Sequence, residues 1–388
     1  MLDEVRIGII GIGNMGSSHA ERIARGDIRG MKLAAVADKK ETRRAWAKEH
    51  LPADVKIYEN ETQLMDDPDI NAVLIAVPHY DHPGFGIRAM EKGLNVMCEK
   101  PVGVYTKQVR DMIAAADMHP DLTYAVMFNQ RTNPIYKKMH ELVQSGVYGK
   151  IKRVNWIITD WYRTQHYYDS GEWRATWNGE GGGVLLNQCP HQLDLLQWIC
   201  GLPVKVQSFM QYGKWHHIEV EDDVTTYMEF ADGATGVFIT TTGDAPGTNR
   251  FEVDLEKAKI VAENNQLYVY ELDVNEREYC FTATEGFKKP SGHEVHFELS
   301  KDNPQHNGVL QAFADHLISG APLIADGREG IRGLMLSNAM HLSSWLGKAV
   351  ELPIDEDLFL EELNKRRASS ARKTGVVEDT NADMSSTY

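Results

Sequence analysis

Short apolar runs alternate with amphipathic stretches over roughly the first 125 residues. The apolar runs have the length of single strands, and the stretches between them repeat apolar positions at the spacing of a helix. Strands that are apolar throughout and separated by helices are typical of a parallel sheet covered on both faces. The five runs read VRIGIIG, KLAAVAD, NAVLIAVP, LNVMCEKP and TYAVMFN.

The pattern changes after the last of these runs, at a boundary that we place near residues 126 to 130. Strand-like runs now follow one another, separated by turn signals such as ADG and ENN. Consecutive strands with short turns predict a mostly antiparallel sheet. The runs read KIKRVNWIITDW, KVQSFMQYG, DVTTYMEFA, TGVFITTTG, RFEVDLEKAKIVAEN, LYVYEL and REYCFTAT. Two helical stretches, at 308–319 and 328–346, are expected to close this second domain.

The chain therefore divides into three predicted regions. Residues 1–126 form an α/β domain with a parallel sheet, and residues 127–365 form an α+β domain with a large, mostly antiparallel open sheet. Residues 366–388 carry little apolar periodicity. They are expected to be a polar tail that is mobile or serves as an arm on a partner subunit.

Length and charge narrow the class of protein. A chain of 388 residues exceeds one ordinary core, and a net charge of -15 argues against nucleic acid or an anionic membrane surface as partner. No apolar run approaches the roughly 18 to 20 residues of a membrane span, and the start MLDEVRIGIIG lacks the order of a secretory signal. The four cysteines lie far apart without a CxxC motif, which favours a reduced, cytoplasmic protein.

Three glycines follow the first strand in GIIGIGNMG. Gly11, Gly13 and Gly16 have the GxGxxG spacing, directly after a strand and before a helix. This context indicates a dinucleotide site in which the loop, including Asn14 and Met15, receives the pyrophosphate at a helix N-terminus. Asp38 ends the second strand, where a carboxylate accepts the adenosine ribose hydroxyls and repels a 2′-phosphate. This favours NAD, and NADP stays open as the alternative because Lys39 and Lys40 follow at once.

Two further strands end in polar motifs on the same predicted edge of the sheet, where ligands bind in open parallel sheets. Lys100 in CEKP is placed to bond a substrate hydroxyl and to lower the pKa of a neighbouring base. The alternative is a solvated surface lysine. The residues around Lys100, and those in VPHYDHPG after the third strand, are expected to border the dinucleotide: Val77, Pro78, His82, Glu99 and Pro101. His79 borders it as well.

The segment GGGVLLNQCPHQLD carries three polar residues among apolar ones. Asn187, His191 and Asp194 stand four and three apart, a spacing that puts them on one helix face toward a pocket. Pro190 fits if the regular helix starts only around Asn187 to Pro190, which weakens this placement for Asn187. His191 titrates near neutrality and is the best candidate for a base. Capping or pairing inside the fold stays open for Asp194.

The preceding stretch, residues 160–177, is unusually rich in tryptophan, tyrosine and arginine. Aromatic rings bind the apolar faces of sugars, and arginines bind hydroxyls or an acidic group. An aromatic core or a dimer seam is the alternative. The substrate candidates are Trp161, Arg163, Tyr167, Tyr168, Trp173 and Arg174. Asn129, Gln130 and Arg131, just past the last strand of the first domain, are placed to touch nicotinamide or substrate, and His306 is a further candidate for the pocket.

The order of these motifs resembles the Gfo/Idh/MocA oxidoreductase family, from Val5 to about Pro353. The motifs that carry the resemblance are GIIGIGNMG, Asp38, VPHYDHPG, CEKPVG and GGG followed by His191. The resemblance implies a Rossmann domain, a second domain whose open sheet forms a homodimer or homotetramer, and hydride transfer between NAD(P) and a sugar or cyclitol carbinol. It also implies that Lys100 and His191 are catalytic. Asn187 stands where many members have aspartate, and we interpret it as a contact to a substrate hydroxyl.

Two other functions use the same residues. One is a glycosidase or lyase that oxidises its substrate transiently with a tightly held NAD, and the other is a sensor of sugars and dinucleotides without catalysis. No metal site is predicted, because HExxH and cysteine clusters are lacking and the adjacent His216 and His217, on an expected strand or turn, point opposite ways.

Overall fold

The first sheet is parallel throughout. In the computed structural model, which describes residues 1–371 and residue 373, its strands are β1 (Val5–Ile10), β2 (Met31–Ala37), β3 (Lys56–Tyr58), β4 (Ala72–Ile75), β5 (Asn95–Cys98) and β6 (Tyr124–Val126). They lie in the order β3-β2-β1-β4-β5-β6, and every neighbouring pair is parallel. The prediction of a Rossmann-type parallel sheet is therefore confirmed.

Both faces of this sheet are buried, as the continuous apolar strands require. Ala72 and Leu74 enter one apolar core, whereas Val73 and Ile75 of the same strand enter the other. The flanking helices are α1 (Asn14–Ala24), α2 (Glu41–His50), α3 (Glu61–Met65), α4 (His82–Glu91) and α5 (Thr106–Met118).

The second sheet has nine strands, namely β7 (Ile151–Ile158), β8 (Lys205–Tyr212), β9 (Glu221–Glu229), β10 (Thr235–Thr241), β11 (Asn249–Leu255), β12 (Ala258–Glu263), β13 (Gln266–Leu272), β14 (Gly292–Val295) and β15 (Val350–Glu351). Their order is β14-β13-β12-β11-β7-β10-β9-β8-β15. Among the described strands of this sheet, only β7 and β10 pair in parallel. This confirms a mostly antiparallel sheet, with one crossover that the sequence did not indicate.

One face of the second sheet is covered and the other is open. Trp156 stacks on Phe251 at 4.0 Å in the buried face, while Phe209 and Tyr227 are exposed on the other. Helix α6 (Pro134–Gln144) contacts β12 and β13, and α11 (Gly330–Leu346) contacts β8. Helix α8 (Pro190–Cys200) contacts both of these helices. The remaining helices are α7 (Gln165–Asp169), α9 (Glu276–Thr282), α10 (Gln305–Ser319) and α12 (Glu356–Ser369).

Helix α10 corrects one expectation. It was predicted, as the stretch 308–319, to close the second domain, but it packs on the first sheet. Val309, Phe313 and Leu317 share a core with the residues of β1, and the Leu2 amide donates to the Leu317 carbonyl at 2.8 Å. The amphipathic pattern predicted a helix with one apolar face, and it carried no information on which sheet that face covers.

Two other local predictions were wrong. REYCFTAT was predicted to be a strand, yet α9 begins there because the Asn275 side chain caps it by accepting from the amides of Arg277 and Glu278. The polar tail was placed from residue 366, but α12 continues to Ser369 with Arg366 and Arg367 in its last turn, where cations favour the helix dipole. Residue 372 and residues 374–388 of that predicted tail lie outside the described residues. No helix among the described residues is long and apolar enough to cross a membrane.

Candidate active site

The glycine loop between β1 and α1 has the shape that a dinucleotide requires. Gly11 has φ +87°, a conformation that favours glycine, and a Cβ on Gly16 would lie against the carbonyl oxygen of Gly11. A Cβ on Gly13 would meet nothing within 4 Å. Gly11 and Gly16 therefore hold the turn and the close packing of strand and helix, while open space lies before Gly13 for a pyrophosphate. The residues present fit the cofactor that the motif predicts.

Asp38 follows β2 and holds this loop directly. Its Oδ2 accepts from the Ile12 amide at 2.9 Å, and its Oδ1 accepts from the Lys40 amide at 2.8 Å. Asn14 and Met15 open α1, and the Asn14 amide oxygen accepts from Arg43 at 3.4 Å. The carboxylate thus fixes the loop as well as standing at the strand end where a ribose would lie.

His82 joins two of the strand ends. Its ring nitrogens lie 2.7 Å from the carbonyl oxygens of Val77 and Pro101, and the side chain is buried. Pro78 follows Val77 directly, and the peptide bond between Lys100 and Pro101 is cis. The role of His82 in the structure is to hold the loops after β4 and β5 together.

Glu99 is a buried carboxylate beneath the site. Its Oε1 lies 2.7 Å from Nε2 of His19, and its Oε2 accepts from the Lys100 amide at 3.1 Å. Burial raises the pKa of Glu99, but the His19 hydrogen bond and the nearby charges of His19, His306 and Lys100 outweigh it and lower the pKa to about 2. His19 was missed from the sequence, where it is only one polar residue three positions beyond the glycine motif.

Lys100 is half-buried at the carboxyl end of β5. Its ammonium donates to the carbonyl oxygen of Asn187 at 3.1 Å, which ties the first domain to the segment before α8. Burial lowers the pKa of Lys100, the charge of Glu99 opposes this, and the charges of Arg163 and Arg174 lower the pKa further. The guanidinium groups of Arg163 and Arg174 are therefore close enough to Lys100 for their charges to act on it.

His191 lies in the first turn of α8, which begins at Pro190 as the proline required. The ring is buried, and its Nδ1 has no hydrogen-bond partner among the described residues. Burial and then the charge of Lys100 hold the pKa of His191 well below its usual range. This corrects the expectation that His191 titrates near neutrality: the buried imidazole is held in its neutral form, in which one ring nitrogen keeps a lone pair that can accept a proton.

Asn187 precedes the helix, so it does not share a helix face with His191. Its Oδ1 accepts from the Tyr167 hydroxyl at 3.3 Å, and its Nδ2 donates to Glu180 Oε1. Glu180 is buried, also accepts from the Ala175 amide, and has a pKa raised mainly by burial. Both ends of the Asn187 amide thus bond to protein groups, which does not support the predicted role as a substrate contact. Glu180 was missed, although it directly precedes the three glycines.

Asp194 does not point into the pocket. It forms a bidentate pair with Arg131, with Nε to Oδ2 at 2.8 Å and Nη2 to Oδ1 at 2.7 Å, and Arg131 also donates to Glu329 at 2.8 Å. Both members of the pair are buried. The structural alternative applies to Asp194, and Arg131 serves the same pair rather than a ligand.

Three more candidates have protein partners. Asn129 is fully buried and donates to Gln305 Oε1, and Gln130 donates to the same oxygen at 3.3 Å. Tyr168 is buried, with its hydroxyl 2.7 Å from that of Thr242. Asn129 therefore has no exposed surface with which to touch a substrate.

The remaining candidates from residues 160–177 come together beside Lys100. Arg163 lies over the rings of Trp161 and Tyr167, at 5.4 and 5.2 Å from their centroids. Arg174 lies over Tyr167 and Trp173, at 4.6 and 4.7 Å. Guanidinium groups and rings thus alternate, and we refer to these five side chains as the arginine–aromatic row.

Two family models match the chain. Residues 5–128 match the oxidoreductase family with an NAD-binding Rossmann fold, and residues 136–261 match the GFO/IDH/MocA C-terminal domain. Together these matches span more than half of the 388 residues.

Named relatives match most of the chain. The myo-inositol 2-dehydrogenase of Thermotoga maritima is 27% identical over 356 residues, covering 90% of this chain and 98% of the relative. The levoglucosan dehydrogenase of Pseudarthrobacter phenanthrenivorans is 25% identical over 280 residues, covering 64% and 70%. Among solved structures, the WlbA dehydrogenase of Chromobacterium violaceum in complex with NADH and UDP-GlcNAcA is similar with a TM-score of 0.77, 25% identity and coverage of 92% and 98%.

Proposed function

This chain belongs to the GFO/IDH/MocA oxidoreductase family with an NAD-binding Rossmann domain. From that premise we propose that it oxidises a secondary alcohol of a sugar, cyclitol or sugar derivative, or reduces the corresponding ketone to that alcohol. His191 is the proton acceptor and donor, and Lys100 is its electrostatic partner. The names of the relatives, an inositol and a levoglucosan dehydrogenase, support this class of substrate. The proposal depends above all on the neutral, buried His191, whose Nδ1 has no partner among the described residues, beside the Lys100 ammonium.

His191 and Lys100 have different roles at the carbinol oxygen, one in proton transfer and the other in charge stabilisation. When bound, nicotinamide supplies the hydride acceptor or donor. The neutral imidazole of His191 takes the hydroxyl proton as the alcohol is oxidised, and returns it in the reverse direction. The Lys100 ammonium, held by the Asn187 carbonyl, donates to the oxygen and stabilises its developing negative charge.

Surrounding groups keep these two side chains in place. Glu99 fixes the Lys100 backbone through its amide. A run of hydrogen bonds holds the segment that leads into α8: Tyr167 donates to Asn187, which donates to Glu180. The pair of Arg131 and Asp194 anchors α8 to the end of the first sheet.

The test mixes the purified protein with NAD and a panel of sugars, cyclitols and sugar derivatives, and follows NADH by its absorbance. We expect turnover with one class, and His191→Ala to lower kcat by about 100-fold or more because it removes the general base. His293→Ala, on the exposed edge strand β14, is the matched control and should retain native turnover. NAD bound without turnover of any compound would overturn the proposal and favour transient oxidation or a sensor.

The open face of the second sheet supports a further part of the proposal, a homodimer or homotetramer. Exposed aromatic side chains on this face, among them Phe209, Tyr227, Tyr268 and Tyr270, favour burial against another copy. Light scattering of the purified protein measures the assembly, and a monomer at all concentrations would contradict it.

A further inference from the structure

The arginine–aromatic row contains two guanidinium groups whose donors are mostly unused. Arg163 donates from Nη1 to the Tyr162 carbonyl, and Arg174 donates from Nη1 to the Tyr167 hydroxyl at 2.9 Å. A guanidinium has five N–H donors. Among the described residues both arginines donate to uncharged oxygens, and neither forms an ion pair with a carboxylate. Stacking on the rings holds both groups in place and leaves their edges available to a ligand.

The carboxylates nearest to the row do not neutralise it. Burial raises the pKa of Glu180, the charge of Arg174 acts against this, and the carboxylate oxygens already accept from Asn187 and Ala175. Burial also raises the pKa of Asp160, although the charge of Arg163 acts against this. Among the described residues, neither acid forms an ion pair with the two guanidinium groups, which donate instead to Tyr162 and Tyr167.

The row faces the same space as the reacting lysine. Arg174 donates to the Tyr167 hydroxyl, which donates to Asn187, whose carbonyl accepts from Lys100. Burial lowers the pKa of Lys100, the charge of Glu99 opposes this, and the charges of Arg163 and Arg174 lower it further. Three cations thus converge in a chain whose net charge is -15. Glu99 offsets part of the repulsion at Lys100, and like charges in a half-buried space still repel one another without a ligand. An anion bound at the row would relieve this repulsion.

We propose that the substrate carries an anionic group, a carboxylate or a phosphate, and that Arg163 and Arg174 recognise it. This rests on the proposed function and narrows it to anionic sugar derivatives. The guanidinium edges bind the anion in a bidentate manner, and the rings of Trp161, Tyr167 and Trp173 pack against the sugar carbons. Lys100 remains free for the carbinol oxygen, because the anion is held by the arginines.

Matched compounds test the substrate class. Each set contains a neutral sugar, the corresponding uronic acid and the corresponding sugar phosphate, for example glucose, glucuronate and glucose 6-phosphate. We expect one anionic member to show a kcat/KM about 10-fold or more above that of its neutral partner, because hydrogen bonds to a charged group are strong and specific. The acid and phosphate arms identify which anion it is. Equal or better turnover of the neutral sugars would overturn the inference and leave the proposed function intact.

Arg163→Gln tests the residue assignment. We expect KM for the anionic substrate to rise about 10-fold or more with little change in kcat, because the variant loses a charge-assisted contact and keeps His191 and Lys100. Turnover of the neutral sugar should change much less. Arg163→Lys keeps the charge without the fork and should lie between the two. Arg277→Gln is the control, since Arg277 also lies over a ring, that of Phe281, but on the exposed helix α9.

Arg174→Gln is a second variant with a structural component, because Arg174 also bonds the Tyr167 hydroxyl. Binding provides a readout that does not require turnover. Trp161 and Trp173 lie in the row, so titration of the native protein with glucuronate or glucose 6-phosphate should change tryptophan fluorescence, and Arg163→Gln should weaken this response. Absence of any response to either anion, together with absence of turnover, would overturn both the inference and the proposed function.

Discussion

Each half of the site contains a buried glutamate, Glu99 in one and Glu180 in the other, and these two are held in opposite ways. Glu99, on the cofactor side, is paired with His19 and has a pKa lowered to about 2. Glu180, on the substrate side, accepts only from neutral groups and has a pKa raised by burial. In the cofactor half, the ionised form of Glu99 is thus strongly stabilised. In the substrate half, the ionised form of Glu180 is only weakly stabilised, although Arg174 lies nearby.

This difference follows from what each half binds. Glycines and strand ends shape the backbone of a dinucleotide loop. The cofactor half therefore needs one buried carboxylate below the loop, Glu99, with His19 as its partner. The substrate half is made of side chains from separated segments, and each member constrains the next. Changes on the cofactor side should therefore act on stability and cofactor affinity, and changes on the substrate side on pH dependence and specificity.

The largest effect is expected from Gly16→Ala. The new Cβ would lie against the backbone oxygen of Gly11, which cannot move without opening the turn, so we expect a loss of about 3 kcal/mol or more in the free energy of unfolding. Urea unfolding measures it. Gly13→Ala is the control, because its Cβ meets no protein atom: the fold should keep its stability, and NAD affinity should fall. Equal loss of unfolding free energy in both variants would contradict the assignment of Gly16 to backbone packing and of Gly13 to cofactor binding.

Glu99→Gln comes next. Because the pKa of Glu99 is lowered from 4.5 to about 2, its contribution is present above about pH 4.5 and is lost as the pH falls toward 2. At neutral pH we expect the variant to lose about 3 kcal/mol of unfolding free energy, the equivalent of that shift. The difference between native protein and variant should shrink on acidification. A difference that stays constant down to acid pH would show that the charge is not what stabilises.

Glu180→Gln should show the opposite trend. A carboxyl whose pKa is raised in the folded state contributes stability below its ordinary pKa, and this is lost as the pH rises through the folded pKa. The stability of the variant relative to the native protein should therefore increase with pH, by on the order of 1 kcal/mol. Thermal unfolding midpoints across a pH series give the slope. A slope of the same sign as that of Glu99→Gln would contradict the comparison of the two halves.

Asn187→Asp should have the smallest effect on the fold and a specific effect on pH dependence. A carboxylate at this position would face Glu180 Oε1, where the amide now donates, and two like charges would share one proton. We expect kcat/KM to fall by roughly 10-fold and to decline with rising pH. Asn187→Asp combined with Glu180→Gln should restore activity, since the amide is then supplied from the other side. If the double variant did not recover the native kcat/KM, the hydrogen bond between positions 187 and 180 would not be what the single variant disrupts.

Much of the cofactor half could be predicted from the sequence alone. Gly11, Gly13 and Gly16 sit at fixed offsets after β1, Asp38 directly follows β2, and the apolar runs of the first sheet alternate with helices. Such signals are local, because backbone geometry and strand burial impose them within a few residues. Pro190 likewise predicted where α8 begins, whereas the spacing of Asn187, His191 and Asp194 did not predict a shared face, and the catalytic role of His191 stays a prediction.

Tertiary structure decided what the local pattern left open. Asp194 meets Arg131 from a segment 63 residues away, Asn187 meets Glu180 across a loop, and α10 covers the first sheet although it follows the second. The sequence determined which side chains are polar and which face of a helix is apolar. Only folding determined their partners, because burial and hydrogen-bond pairing are settled between segments that the chain brings together from far apart.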